Sequence, residues 1–495
     1  MNPSLSWHIF RKDWRLMWPL AMATALLQVV ITAVIRHSEP FPLPEAKSVI
    51  ASLLTLGLAI SMTLLILLTI QQEAIPSINQ DWLTRPVKRR DLLLGKLFTL
   101  ALLIHGPIVV VDILHGLAEG FAPGSVIHAT LVSNFEIALC YSLPVMAVAS
   151  MTRSAVEAII FGLVILVVGV SVGFVASSTG GTGLKWIWRS VAHGELLLVT
   201  VAALWWQYTR RSRDGTQQAR ALFAVGVLAF TLIQLLPWEP AFFIQRSLAA
   251  NPQASLQIDV EVVQGASYPT RQLLAGVDAP DRGHVRIVLP LRFSAFPPGT
   301  LLHGDRTTVH LVGGDGAVVF SGLGHVFDVP SDGDGWPMGP PGTVGQAVDI
   351  PADVYKKISE QPLRLELGYY ATLLHRQLIT RMAMNETRRI PGFGWCATRN
   401  KTGVIDIGCR TAGALPFCIS VTAGTAPEAF QCELNYEPVQ LRFSVDPIDH
   451  WEVKIPTLPR AELAPIEFAF RVYEPEDHFV REVLVPQIRL RDLRP

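Results

Sequence analysis

VIASLLTLGLAISMTLLILLTI, residues 49 to 70, contains no charged residue. A helix needs about 20 mostly apolar residues to cross the hydrocarbon core of a bilayer, so this stretch predicts a transmembrane helix. On either side, residues 17 to 35, 92 to 114, 126 to 150, 155 to 176, 191 to 208 and 220 to 236 come near the same requirement. Residues 17 to 240 are therefore read as an α-helical polytopic membrane domain of about seven transmembrane helices.

The charges between these stretches give a direction. One set of loops holds Arg11, Lys12, Arg15, Arg85, Lys88, Arg89, Arg90, Arg153, Arg210, Arg211, Arg213 and Arg220; the other holds Arg36, Lys47, Lys185 and Arg189. Basic residues collect on the cytoplasmic side, so the N-terminus is expected in the cytoplasm of a cell inner (plasma) membrane, and seven crossings carry the C-terminal half to the far side. Trp82, Trp205, Trp206 and Tyr208 on one side and Trp186, Trp188 and Trp238 on the other form an aromatic belt. Residues 1 to 18 are read as a cytoplasmic amphipathic helix, with Trp7, Phe10, Trp14 and Trp18 on one face and His8, Arg11, Lys12 and Arg15 on the other. Such a segment lies flat among lipid headgroups. The first apolar run is long for a signal h-region and ends in VIRHSEP without small residues at a cleavage site, so it is expected to be retained.

Half of the chain is hydrophobic and the formal net charge is +0, which leaves no basic footprint for nucleic acid. Of five cysteines, Cys140 falls in the fourth apolar stretch, while Cys396, Cys409, Cys418 and Cys432 cluster in the C-terminal half. That even, clustered set predicts two disulfides, with their connectivity open, and agrees with an extracytoplasmic, oxidising location. Zinc is the competing reading, but no CxxC pair or spaced histidines accompany the cysteines.

From about residue 251 the composition changes. Gly, Pro and Asp turns separate short alternating runs: LQIDVEVV at 256, HVRIVLPLRF at 284, TTVHLV at 307, LRLELGYY at 363, QLRFSV at 440, WEVKI at 451 and IEFAFRVY at 466. Residues 251 to 495 are expected to form a mainly-β, β-sandwich-like extracytoplasmic domain. The run PSDGDGWPMGPPGTVG at 330 to 345 is either a linker between two modules or an exposed loop. Asp328, Asp332 and Asp334 lack the spacing and the closing Glu of a calcium loop. Asn385 and Asn400 open N-x-(S/T) sequons. No G-x-S-x-G or HExxH run is present, so catalysis has no positive support and no metal site is assigned.

The cytoplasmic loop after the second apolar stretch reads QQEAIPSINQDWLTRPVKRRDLLLGKL, residues 71 to 97. Pro86 stops any preceding helix, and Asp91 is placed to cap the next one. This loop resembles that of the membrane subunits of ABC-2 type transporters, which carry W-L-(S/T)-R-P-(I/V)-(S/T)-R-R-x-(L/I)-L-x-x-K-L there. Trp82, Leu83, Thr84, Arg85, Pro86, Val87, Lys88, Arg89, Arg90, Leu93, Lys96 and Leu97 stand in matching places, with Lys88 where the pattern has a hydroxyl. Trp7, Lys12, Asp13 and Arg15 are similar to the start of such permeases. The resemblance covers about residues 1 to 240. It implies an ATPase-coupling surface at residues 77 to 91, for which Trp82, Arg85, Pro86, Lys88, Arg89, Arg90 and Lys96 are the candidates. It also implies an ABC ATPase subunit that binds ATP and Mg, and a homodimer or a homologous permease partner. The competing reading of the loop is a positive-inside signal beside membrane lipid. The chain has no GxxxxGK(S/T) run, so no ATP site of its own is expected. Permeases of this type have six spans, and the seventh, 220 to 236, departs from that pattern by exporting the C-terminal half. Were 191 to 208 interfacial, that half would stay cytoplasmic.

His105, Asp112 and Glu136 fall inside apolar stretches, where charge is costly and faces the bundle interior. His105 and Glu136 lie at similar depth and are placed to pair across antiparallel helices; Asp112, seven residues after His105, shares its helix face. The three are read as an intramembrane polar track, either a part of a transport route or a buried group that fixes packing. Glu157 is assigned to a helix N-terminus beside Arg153. The function expected is a membrane-spanning permease subunit, without enzyme activity of its own, of an ATP-driven ABC-2 type transporter, in which export is the prior. The alternatives are a membrane-anchored sensor or scaffold with a ligand- or partner-binding β-domain, and a membrane enzyme using His105, Asp112 and Glu136.

Overall fold

The computed structural model describes residues 3–35, 45–72, 89–178, 185–210, 213–233, 238–263, 282–295, 297–325, 328–330, 343–390, 394–401, 404–412, 418–423, 429–432, 448–455 and 467–493. Helices come first. α1 (Pro3–Ile35) and α2 (Glu45–Gln71) pair antiparallel, with Thr24 Oγ1 bonded to Ser61 Oγ. The next run is α3 (Arg89–Leu100), a π-helical turn at Ala101–His105, and α4 (Gly106–Ala118). The following run repeats the design: α5 (Pro123–Ile137), a π-helical turn at Ala138–Ser142, and α6 (Leu143–Met151).

Both π turns have the same cause in the sequence. Pro107 and Pro144 follow them and lack the N–H that an α-helix would donate four residues back, and their rings crowd that carbonyl. One extra residue relieves the crowding, and the bonds become i to i+5: Gly106 N–H to Ala101 O, and Leu143 N–H to Ala138 O.

Four of the described helical runs are long and apolar enough to cross a membrane: Phe10–Val34, Val49–Gln71, Asp91–Ala118 and Pro123–Met151. This is the pattern of a membrane protein, with fewer full-length crossings than the seven predicted. α7 (Ala155–Ser178), α8 (Lys185–Arg210) and α9 (Arg213–Ile233) are helices as expected, but in α7 only Ala155–Ile165 is described as an apolar segment. The expected amphipathic helix at 1 to 18 is not a separate element, because α1 runs through Pro19 without a break. Its aromatic face is divided: Phe10 is buried and packs on Phe98 of α3, whereas Trp7, Trp14 and Trp18 are exposed.

The helix ends gather in two groups. At one end, Gln71 reaches Thr152, Gln207 reaches the Ser150 carbonyl, and Arg220 binds both the Met151 carbonyl and Glu157. At the other end lie the α4–α5 turn, Ile187 at the start of α8, and α10 (Trp238–Ser247).

The β-rich half contains β1 (Asp259–Val262), β2 (His284–Ser294), β3 (Thr300–Val312), β4 (Val318–Gly324), β5 (Asp328–Pro330), β6 (Thr343–Pro351), β7 (Leu363–Ala383), β8 (Thr387–Ile390), β9 (Gly394–Lys401), β10 (Val404–Ala412), β11 (Cys418–Ala423), β12 (Ala429–Cys432), β13 (Ile448–Ile455) and β14 (Glu467–Ile488). Ten of these form one sheet in the order β1-β2-β6-β4-β3-β7-β14-β11-β12, with β5 on β3; β13-β10-β9-β8 form a second. Because β6 pairs with both β2 and β4, the chain on the two sides of 331–342 belongs to one sheet. The two sides share one hydrophobic core, including Ile287, Leu311, Val348 and Leu365. The strand expected at 440 lies outside the described residues.

Candidate functional site

The two π-helical turns face each other. His105 closes the first and Ser142 closes the second, and His105 Nε2 lies 3.1 Å from Ser142 Oγ. The neighbouring Tyr141 turns the other way, donating to the Ala59 carbonyl of α2 at 2.6 Å and meeting Thr63. Thus the second π turn is fastened to α2 on one side and to the first π turn on the other.

Two turns farther along, in α4, Asp112 is 1% exposed. Gln28 of α1 donates its Nε2 to Asp112 Oδ1 at 2.9 Å, and Asn134 of α5 donates its Nδ2 to Asp112 Oδ2 at 3.5 Å and to the Thr130 carbonyl at 3.1 Å. A buried carboxylate needs donors to replace water, and here two neutral amides from two different helices provide them. His105 and Asp112 do share one region of the bundle, as their seven-residue spacing predicts. Glu136 is half-buried and sits two positions after Asn134, so the two point to different sides of α5. Asn134 of this helix joins the cluster, and His105 meets Ser142. Gln28, Asn134 and Ser142 escape a search restricted to ionisable side chains. The signal was present as amides within apolar runs, ALLQVV and LVSNFE.

Of the expected coupling residues, Trp82, Arg85, Pro86 and Lys88 lie outside the described residues. Arg89 and Arg90 open α3, and their side chains are outside the description as well. Lys96 is described and is 1% exposed. Its ammonium donates to Asp13 Oδ2 at 2.8 Å and to the Thr69 carbonyl at 2.9 Å. Thr69 is in the last turn of α2, where carbonyls have no intrahelical donor. One cation thereby ties α1, α2 and α3 together, joining the two stretches that carry the permease resemblance.

The β-rich half grips the helical half at the α4–α5 turn. Arg410 Nη1 donates to Glu119 Oε2 at 2.9 Å with both side chains largely buried, and Trp395 Nε1 donates to the Glu119 carbonyl at 3.1 Å. Gly120 follows in the left-handed region, φ 81°, under the Trp395 indole. Trp395 and Arg410 stand opposite each other on β9 and β10, next to Cys396 and Cys409, which also stand opposite each other and form a disulfide. The bond fixes the two strands whose other face holds the turn. Cys418 is itself disulfide-bonded and stands opposite Cys432 in the β11–β12 register, while Cys140 lies in the second π turn.

A second polar row crosses the large sheet. His303, Thr372 and His478 are in register on β3, β7 and β14. An irregularity between Gly304 and Arg306 turns Asp305 toward this row, while Asp477, next to His478, accepts from the Ser255 and His478 N–H groups. Thr372 Oγ1 donates to Asp305 Oδ2 at 2.7 Å and lies 2.7 Å from His478 Nδ1, and Gln245 of α10 meets the same ring nitrogen at 2.8 Å. Burial pushes His478 down to about 4, against a smaller upward pull from Asp477. Among the described residues, no group of acidic, histidine and cysteine side chains is arranged to hold a metal ion. No protein-family model matches the chain, and no curated protein matches it in sequence.

Proposed function

We propose that this chain is the membrane subunit of an ATP-driven transporter of the ABC-2 type, working with a separate ATPase. The observation that carries this reading is the Asp13–Lys96–Thr69 joint. It connects the N-terminal motif residue Asp13 to Lys96 of the loop motif, so the loop at 77 to 91 would be presented by a braced three-helix corner. Force applied there would reach the whole helical unit instead of one flexible segment. Two further features support transport over anchoring. Two helical runs are interrupted at their middles by facing π turns, and the polar groups beside them are buried in helices otherwise apolar. Interrupted helices and intramembrane polar groups mark substrate pathways in membrane proteins.

In this reading all seven apolar stretches cross the bilayer, with the Asp13 and Arg220 end cytoplasmic and the β-rich half outside. The Cys396–Cys409 disulfide supports the oxidising side. The β-rich half, held to the α4–α5 turn through Glu119, would couple substrate release or partner docking to the helices. That same connection is what a sensor reading would use, with ligand binding on the sheet transmitted through Arg410 and Glu119.

Co-purification separates the two. The wild-type chain and an Arg85→Glu, Arg89→Glu variant are solubilised from native membranes, and bound proteins are identified by mass spectrometry. An ATPase held by the wild type and lost from the variant is expected. An ATPase absent from both would sink the permease reading.

A further inference from the structure

α10 has two apolar faces. Trp238, Ala241 and Phe242 are buried with Ile187 of α8 and against Tyr370 and Val480 of the large sheet, and Gln245 bonds His478. Trp238, which the sequence places as an interfacial anchor, is turned away from any interface: it stacks on Phe242 and meets the edge of Tyr370. On the other side, Phe243 and Leu248 are 71% and 65% exposed, with Ile244 beside them at 38%. The charged residues of α10, Glu239 and Arg246, are two helical turns apart and so share one flank. From that flank Glu239 reaches back to Arg306 of β3 at 4.0 Å. The exposed apolar arc is left without a charge.

The height of α10 along the bundle decides what meets this arc. Gln207 of α8 bonds the Ser150 carbonyl, at the end of the Pro123–Met151 span, and Ile187 lies 20 residues earlier in the same helix. That separation is about 30 Å of helix, the thickness of the hydrocarbon core. Resting on Ile187, α10 is therefore at the opposite edge of the hydrocarbon, the edge where the Asp91–Ala118 and Pro123–Met151 spans join in the α4–α5 turn. A protein partner fits this arc less well. Even at the about 250 Å² of a large aromatic side chain, three partly exposed residues fall short of the about 800 Å² per partner that a specific interface uses.

We propose that α10 docks on the bilayer surface, with Phe243, Ile244 and Leu248 among the lipid acyl chains and Glu239 and Arg246 at the level of the headgroups. A helix lying in the interface plane divides its side chains in this way. The chain itself delivers α10 to that surface, because α9 ends at Ile233, five residues before Trp238. Since the other face of α10 carries the large sheet, lipid becomes a second attachment of the β-rich half, separate from the Arg410–Glu119 contact. One attachment lets that half pivot; two fix its tilt against the membrane. That the leaflet is the outer one rests on the topology proposed above, whereas the contact with lipid does not.

The test uses the full chain in phosphatidylcholine nanodiscs that contain a lipid with a diazirine near the carbonyl end of one acyl chain. After illumination, peptide mapping is expected to find lipid attached at Phe243, Ile244 or Leu248, within about threefold of the level at Leu53 and Leu56, exposed residues of α2 that serve as the internal standard. Phe243→Glu combined with Leu248→Glu puts two charges on the apolar arc and should lower labelling of residues 238 to 248 by about tenfold or more, with α2 unchanged. Arg246→Glu changes a charge on the flank only and should label as the wild type does. Both altered side chains of the double variant are exposed, so its thermal midpoint in detergent should match the wild type. Absence of lipid from residues 238 to 248 while Leu53 and Leu56 are labelled would overturn the proposal, as would undiminished labelling of the double variant or an equal loss in Arg246→Glu. Efficient cross-linking of Phe243→Cys between two copies would overturn it too, by placing protein on this face in the position of lipid. No ATPase takes part, so a negative result leaves the co-purification result standing, and the reverse also holds.

Discussion

Replacing Lys96 by Met should release the corner where the first three helices meet. The ammonium is 1% exposed and bonds to Asp13, 0% exposed, and to the Thr69 carbonyl. Met keeps the length and apolar stem of Lys and removes only the charge and the donors. Removing one partner of a buried ion pair costs about 3–5 kcal/mol, because the remaining charge has been taken out of water. The lost bond to the last turn of α2 adds about 1 kcal/mol. For a unit the size of the helical half, each kcal/mol moves the midpoint by about 2–4 °C, so a fall of about 10–20 °C is expected. Thermal unfolding of the detergent-solubilised chain, followed by intrinsic tryptophan fluorescence, measures it. The informative control is Asp13→Leu combined with Lys96→Met. Replacing both members of a buried pair by apolar groups is often neutral, so the double variant should recover most of the loss. A Lys96→Met midpoint within about 2 °C of wild type, or a double variant as unstable as the single, would refute the account of this joint.

His478 and Gly226 provide two further tests. His478 is held neutral, at about 4 against an ordinary 6.5, by its burial under α10. The unfolded chain takes up that proton first, so the stabilisation is complete above about pH 6.5 and is lost as pH falls toward 4, by up to about 3 kcal/mol. The midpoint of the wild type should drop over this window more steeply than that of His478→Gln, and parallel curves would show that His478 is not responsible. At the α8–α9 contact, a Cβ on Gly226 would lie 2.3 Å from Val199 Cγ1. Gly226→Ala should therefore cost about 1–3 kcal/mol through overpacking, and Val199→Ala in the same chain should restore it. Failure of that rescue would mean that the helices do not approach as closely as described.

Much of the fold was legible because it depends on local composition. The apolar run at 49 to 70 has no alternative but a long helix, and α2 spans it. The alternating runs at 284, 307, 363, 451 and 466 all became strands. What local pattern could not show was the partner of each strand. The run at 330 to 345 has the composition of a linker, yet β6 returns to pair with β2 and β4 across it. The polar track was legible in part. His105 and Asp112 share a helix, so their spacing placed them together, whereas pairing with α5 depended on rotation about a helix axis, which brings Asn134 to Asp112. Lys96 is the plainest case. As a basic residue near a basic loop it reads as surface, and only its distance to Asp13, 83 positions away in the chain, makes it a buried joint.

By itself the sequence determined that the first half is helical and apolar, that the second is stranded and turn-rich, and that cysteines stabilise the latter. Each of these follows from side chains within a few residues of one another, through hydrophobic periodicity and turn chemistry. The tertiary structure alone decided which polar groups meet. The prolines at 107 and 144 are visible in the sequence, but the facing of the two π turns they produce is not. Buried charges and amides must find donors and acceptors wherever the packing brings them. For Asp112 these came from α1 and α5, and for Glu119 from a strand almost three hundred residues away, 291 positions along the chain.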